Sequence, residues 1–258
     1  MDILASTITG FMADYLLPFM RISGLFAAMV GISARTVSTP IRTLLTVMLT
    51  LMIVPVVPPV PVDDFVNLGT FLLVIKELII GIAIGFISMM VLDTFVLAGQ
   101  VIAMQTGLGF ASIVDPMNGV SVPAVGQFYL ILATLLFWTL DGHLVMIQMI
   151  VMSFKAFPAG ESWWTALQFK EIAHWAGWMF VAAVTIALAP IVSLLIVNLA
   201  FGVMTKASPQ LNIFSLGFSI AQIMGLVVVY VTLTNQTFHF TQHWQRGQEL
   251  MCKLLVLC

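Results

Sequence analysis

The sequence predicts an all-α membrane protein built from six long apolar helical runs, and three observations carry that prediction. Apolar residues make up 61% of the 258 and charged residues only 8%, whereas a soluble domain carries about 25% charged residues. Mean hydropathy is +1.12. The apolar residues also fall in stretches as long as, or longer than, the roughly 20 needed to cross a bilayer, parted by short segments rich in Pro, Gly and charge. A net charge of −2 gives no reason to expect nucleic acid or an acidic partner. Both cysteines, Cys252 and Cys258, stand in the last seven residues, so the body of the chain has no disulfide or thiolate metal site and the redox compartment is left open. Asp2 occupies the place where a secretory signal needs basic residues, and the first helix is expected to act as its own insertion signal.

The first helix is expected from about Thr9 to Ile32. It holds Asp14 and Arg21, seven residues apart and so on one helical face. Charges within a membrane helix turn inward and find partners. These two are about two turns apart, so partners on another helix or another subunit are expected, with an interfacial place for Asp14 as the alternative. Ser33 to Pro40 reads as a turn flanked by Arg35 and Arg42. A second run, Ile41–Val54, ends in Pro55, Pro58, Pro59 and Pro61, which cannot continue a helix. Asp63 and Asp64 follow as polar surface and a possible helix cap.

The third run, about Phe65–Met104, exceeds one bilayer crossing and must tilt, protrude or break. It carries Lys76, Glu77 and Asp93, and its Gly81–Gly85 spacing lets helices approach closely. A fourth run, Ala124–Val151, is interrupted by Asp141-Gly142-His143 and followed through Met146, Met149 and Met152, a stripe that suits adaptable packing. Trp163 and Trp164 among mixed charges mark a membrane–water interface. Ile172–Met204, with Pro190 inside it, and Leu211–Thr234 form a hairpin about a polar turn at Lys206. The tail from Asn235 begins polar and ends apolar; its His239 and His243 read as interfacial, since no carboxylate or thiol at matching spacing completes a metal site. Basic residues place the 33–40 and 205–210 turns in the cytoplasm, although Lys155, Lys170 and Arg246 break a clean bias.

Residues 105–123 depart from this pattern. Gly107, Gly109, Pro116, Gly119 and Pro123 exclude a regular helix, yet Leu108, Phe110, Ile113, Val114, Met117 and Val120 are apolar. Asp115 is the one charge, leading into Pro116 and Asn118-Gly119, which is turn chemistry. Irregular backbone survives at membrane depth only when buried in protein or lining a cavity. A constriction, gate or plug is therefore expected, the alternative being a loop packed on its own helices.

The chain contains no P-loop, dinucleotide fingerprint, HExxH or nucleophile elbow. No enzymatic activity, metal or cofactor is expected. Asp93 and Asp141 are candidates for proton relay or for structural pairing. Two classes of function remain: a secondary transporter of small molecules or ions with broken helices, and a subunit of a larger channel whose 105–123 loop occludes a shared pore. The absence of a convincing repeat between the halves 1–129 and 130–258 favours the second.

Three segments resemble one known family. They are Met104-Gln-Thr-Gly-Leu-Gly-Phe-Ala-Ser-Ile-Val-Asp-Pro116; Gln127-Phe-Tyr-Leu with Asp141-Gly-His143; and Pro190-Ile-Val-Ser-Leu-Leu-Ile-Val-Asn-Leu-Ala-Phe-Gly running on to Phe214. Arg21-Ile-Ser-Gly and Ser38-Thr-Pro-Ile-Arg42 fit as well. The chain resembles FliR, the R subunit of the flagellar type III export gate, over about residues 5 to 240. That resemblance implies one copy of the chain joined to several P and Q subunits in a helical, funnel-like gate of the bacterial inner membrane and flagellar basal body. It implies that unfolded flagellar proteins pass through the gate. It implies a P-like part over 1–171, a Q-like hairpin over 172–240 and a variable tail over 241–258. Gly107, Gly109, Phe110, Ile113, Val114, Asp115, Pro116, Met117 and Gly119 would form the plug. Lys206, Pro209, Gln210, Asn212 and Phe214 would meet the large membrane subunit of the export apparatus. Asp14, Arg21, Lys76, Glu77, Asp93 and Asp141 remain as intramembrane charges. Virulence secretion gates share the architecture, and the segment around the plug favours the flagellar branch.

Overall fold

The protein is described by a computed structural model covering residues 2–58, 67–115, 119, 121–159, 166–207, 213–256 and 258. Among these the chain is all-α apart from one short β-hairpin. The helices are α1 (Asp2–Ala28), α2 (Thr39–Ile53), α3 (Leu68–Thr106), α4 (Ala124–Thr139), α5 (Gly142–Ala156), α6 (Ala166–Ala207), α7 (Ile213–Leu233) and α8 (Gln236–Leu254). The strands are β1 (Ser112–Val114) and β2 (Ser121–Pro123). Among the described residues three helical segments are long and apolar enough to cross a membrane, or up to five if each of two bent helix pairs counts as one span. This is an all-α membrane protein. The proline-cluster residues Pro59 and Pro61, with Asp63, Asp64, Trp163 and Trp164, lie outside the described residues.

The six expected runs resolve into eight helices for two physical reasons. The fourth run breaks at Asp141, whose backbone turns left-handed (φ 55°), and α4 and α5 meet at a bend of 64°. The tail continues as α8, bent by 60° from α7. Its apolar residues recur at helical spacing, so Phe240, Trp244, Leu250, Met251 and Leu254 are all buried. His243 falls on that face. It is 6% exposed and its ring stands edge-on to Phe95, 6.1 Å between centroids. Cys252 and Cys258 pair as a disulfide at the end of the chain. The third run neither breaks nor shortens: α3 is one helix of 39 residues, about 58 Å long at 1.5 Å per residue.

The chain forms two compact units, interleaved in sequence. The first comprises Met1–Met90, Phe137–Trp175 and Arg246–Cys258. Here α1 lies directly on α3: a side chain at Gly81 would strike the carbonyl of Arg21, and one at Gly85 would meet the carbonyl of Leu25 at 2.7 Å. The Gly81–Gly85 pair thus works as helix packing. Around this contact Leu17, Ile22, Leu25, Ile84 and Ile87 are fully buried. In the same unit α2 is turned inside out. Thr46 and Thr50 are buried, each hydroxyl donating to the carbonyl four residues back at 2.7 Å, while Leu44, Met48, Leu51 and Met52 are exposed. Arg42 Nη2 gathers the carbonyls of Ser33, Ala34 and Val37 at 2.9, 2.6 and 3.2 Å, which fixes the turn before α2.

The second unit comprises Val91–Leu136 and Ala176–Gln245. It contains the end of α3, the hairpin, most of α4, most of α6, all of α7 and the first half of α8. Gly99 of α3 and Gly126 of α4 bring the two backbones together, a side chain at Gly99 meeting the Gly126 Cα at 2.7 Å. Tyr129 of α4 is buried, and its hydroxyl lies 3.4 Å from that of Thr232 on α7.

Candidate functional site

The segment after α3 is built as a strap with a fixed root. α3 stops at Thr106 because Gly107 takes the left-handed conformation (φ 75°) that closes a helix C-terminus and that a side chain resists. The Thr106 hydroxyl is buried, donates to the Ala103 carbonyl at 3.1 Å and accepts the Leu108 N–H at 3.4 Å. A 3-10 turn over Leu108–Phe110 follows, then β1. β1 and β2 pair antiparallel in the register Ser112 with Pro123, Ile113 with Val122 and Val114 with Ser121. Ala124 donates its N–H to the Ala111 carbonyl at 2.8 Å, closing the base of the hairpin where α4 begins.

Asp115 follows β1 and is 3% exposed. Its side chain accepts from Gln127 Nε2 of α4 at 3.3 Å, and its backbone carbonyl accepts the Gly119 N–H at 2.7 Å. Gly119 is again left-handed (φ 71°). The apolar residues of the hairpin divide: Val122 is buried, whereas Ile113 and Val114 are 51% and 65% exposed. Pro116, Met117, Asn118 and Val120 lie outside the described residues.

The charges within and between the apolar helices part into distinct settings. Arg21 is 1% exposed and fully engaged: Nε and Nη2 pair with the two carboxylate oxygens of Glu77 at 2.5 and 3.0 Å. Nη1 donates to the Ser153 hydroxyl at 3.1 Å, Nη2 also to the Phe157 carbonyl at 2.9 Å, and the guanidinium sits 4.2 Å above the Phe154 ring. One arginine thereby links α1 to α3, to α5 and to the residue just past α5. Asp14, Lys76 and Asp93 are half-buried, while Asp141 is exposed at the break before α5. Beside that break His143 packs against Trp138, 4.7 Å between centroids. Trp138 in turn covers left-handed Gly31 (φ 82°), where a side chain would meet the indole at 2.7 Å. Such an assembly ties helices together.

The family described as bacterial export proteins, family 1, matches residues 12–247. The chain belongs to the FliR family of bacterial export proteins. It is 33% identical to the flagellar biosynthetic protein FliR of Escherichia coli (strain K12), over 82% of this chain and 81% of that one. It is 32% identical to the protein of the same name from Pectobacterium carotovorum, over 86% of this chain and 84% of that one. With the protein from Caulobacter vibrioides identity is 28%, over 89% and 92% of the two chains.

Within this FliR-family chain, Gly107, Gly109, Ile113, Val114, Asp115 and Gly119 stand together in one hairpin with its flanking turns. Lys206 is exposed in the last turn of α6, and Phe214 lies in the first turn of α7. Pro209, Gln210 and Asn212 fall outside the described residues. Sequence reasoning missed the strand pairing, although Ser-Ile-Val and Ser-Val-Pro flank an Asn-Gly dipeptide, a recognisable hairpin signal. It also missed Gln127 as the partner of Asp115 and Ser153 as a partner of Arg21; both sit on helices reached only through the fold.

Proposed function

We propose that this chain is the R subunit of a flagellar protein export gate, joined to P and Q subunits in the inner membrane at the flagellar basal body. In this reading residues 1–171 are P-like, 172–240 form a Q-like hairpin, and the hairpin segment 105–123 is a plug lying in the path of unfolded flagellar proteins. One observation carries it: a short paired strap, pinned to α4 on its turn side by Asp115 and Gln127, leaves Ile113 and Val114 exposed. A seal against ions must exclude water and still yield to a peptide. Exposed β-branched side chains supply the first property, and a strap hinged at Gly107 the second. The exposed apolar faces of α6 (Leu188, Leu195, Leu199) and α7 (Ile223, Leu226, Tyr230) suit a subunit covered by other subunits or by lipid. The Lys206–Phe214 turn is assigned the contact with the large membrane subunit of the export apparatus. No catalytic step, metal or cofactor belongs to this role.

The test is co-expression with P and Q partners, followed by native mass measurement in mild detergent and ion conductance of the complex. A discrete complex with one copy of this chain is expected, and shortening 107–119 is expected to raise ion leak without loss of assembly. A monomer or homodimer indifferent to the partners would remove the gate reading. An assembled, shortened complex with unchanged leak would remove the plug.

A further inference from the structure

Within the second unit α7 closes a triangle of helices around the place where the strap leaves α3 and rejoins α4. Gly99 and Gly126 join α3 to α4, and Tyr129 of α4 meets Thr232 of α7. The third side is Thr106, the last residue of α3, against Gly225 of α7. A side chain at Gly225 would strike the Thr106 methyl and stand 2.8 Å from its Cβ. Gly225 is buried and Thr106 is 1% exposed. Gly225, Val229 and Thr232 recur at helical spacing and Val229 is buried, so they mark the inward face of α7. Leu226, Val227 and Tyr230 are exposed on the rest of that helix.

The Thr106 hydroxyl makes the two bonds that tie the last turn of α3 to the residue beyond Gly107: it donates to the Ala103 carbonyl and accepts the Leu108 N–H. A threonine methyl and hydroxyl share one Cβ and turn together about χ1, for which a helical threonine has two favoured wells. Seating the methyl against α7 therefore fixes where the hydroxyl points. Glycine weakens a helix relative to alanine, and at Gly225 the space it leaves is taken by Thr106. We propose that α7 is the keeper of the strap: its seat at Gly225 sets the Thr106 rotamer, and through it the point where α3 ends and the strap begins. With α7 seated, the hydroxyl holds the Leu108 N–H and α3 stops at left-handed Gly107. When α7 shifts outward, methyl and hydroxyl turn together, the Leu108 N–H loses its partner and the first turn of the strap loosens. The inward face of α7 is thereby coupled mechanically to residues 107–112, and a load on its exposed face is felt there. Thr106 and Gly225 are positioning residues, and the coupling operates whether or not the strap plugs a pore.

Hydrogen–deuterium exchange of the full chain in mild detergent, read on peptides across 104–112, tests the keeper. Gly225→Ala strengthens α7 as a helix while filling the seat. It is expected to lower protection across 104–112 by about tenfold or more, with the peptides of α7 itself not weakened. Thr106→Ser keeps the hydroxyl and removes the methyl, which makes room for the added carbon. In that background Gly225→Ala is expected to cost markedly less, a coupling that a double-mutant cycle reads directly. Gly202→Ala on α6, where an added Cβ meets nothing within 4 Å, is the silent control. Thr106→Ser alone is expected to lower protection across 104–112, since its hydroxyl is kept but no longer aimed, and it keeps the test decisive if Gly225→Ala does not fold. Unchanged protection across 104–112 in either single variant would overturn the keeper. So would equal effects of Gly225→Ala in the two backgrounds, or a parallel loss across residues 70–90 of α3.

Discussion

Arg21 holds three hydrogen-bond partners at once, so the consequences of disturbing it can be stated residue by residue. Glu77→Ala removes both carboxylate contacts and leaves a guanidinium that is 1% exposed. Breaking a buried pair from one side costs about 3–5 kcal/mol, whereas replacing both members with apolar residues is far milder. Denaturant unfolding in detergent should therefore show a large loss for Glu77→Ala and a much smaller one for Arg21→Met with Glu77→Leu. Equal losses would show that the pair acts only through volume. Gly81 offers a second residue-scale test. With no room between it and the Arg21 carbonyl, Gly81→Val should push α1 from α3 and cost about 1–3 kcal/mol. The charges themselves were legible in the sequence, because an arginine in an apolar run demands a partner. The identity of that partner was not, since helical spacing relates residues a few positions apart and Glu77 is 56 positions away.

At the scale of the element, the strap depends on backbone conformation more than on side chains. Gly107 is left-handed, while Gly109 has ordinary backbone and its nearest neighbour would stand 3.5 Å from an added Cβ. Gly107→Ala should therefore destabilise the α3 terminus by roughly 1–2 kcal/mol, the cost of the left-handed region for an L-residue. Gly109→Ala should be nearly silent. Local hydrogen exchange over 104–112 separates the two, and similar effects would count against the role given to Gly107. The breakers in this segment were readable from sequence and so was its apolar character. Its strand pairing was obscured because each strand is only three residues long, too short for alternation to emerge. The tail helix was missed for a different reason: its buried residues are diluted by Gln, Thr and His, and only their spacing marks the inner face.

At the scale of the whole molecule, the apolar surface left by folding must be covered. Leu195 lies inside the apolar stretch of α6 and is 61% exposed. Lipid or a partner subunit would both reject a charge there; an aspartate at a membrane helix centre costs about 2.5–3.5 kcal/mol. Leu195→Asp should lower the amount of chain recovered in membranes, measured by fractionation, while Lys206→Gln at the end of the same helix should not. Undiminished recovery of Leu195→Asp would mean that this face meets water. The all-α membrane class was legible from composition and run length. The interleaving of the two units was not, because α3, α4, α6 and α8 each contribute to both, and nothing in an apolar run marks where one core ends.

The Arg21 cluster also sets a timetable. Its last contact, the Phe157 carbonyl, is 136 positions downstream. At about 5–20 residues per second the ribosome needs on the order of ten seconds to supply it. Until Glu77 and then the α5 partners follow it out of the ribosome the arginine lacks its full set of native neighbours, and the membrane-insertion machinery or phospholipid headgroups must shelter it. Stalled nascent chains that end before residue 77 should be cleared by quality-control proteases, and chains stalled well beyond 157 should persist. Birth order, no less than final packing, constrains where a lone cation is permitted in such a protein.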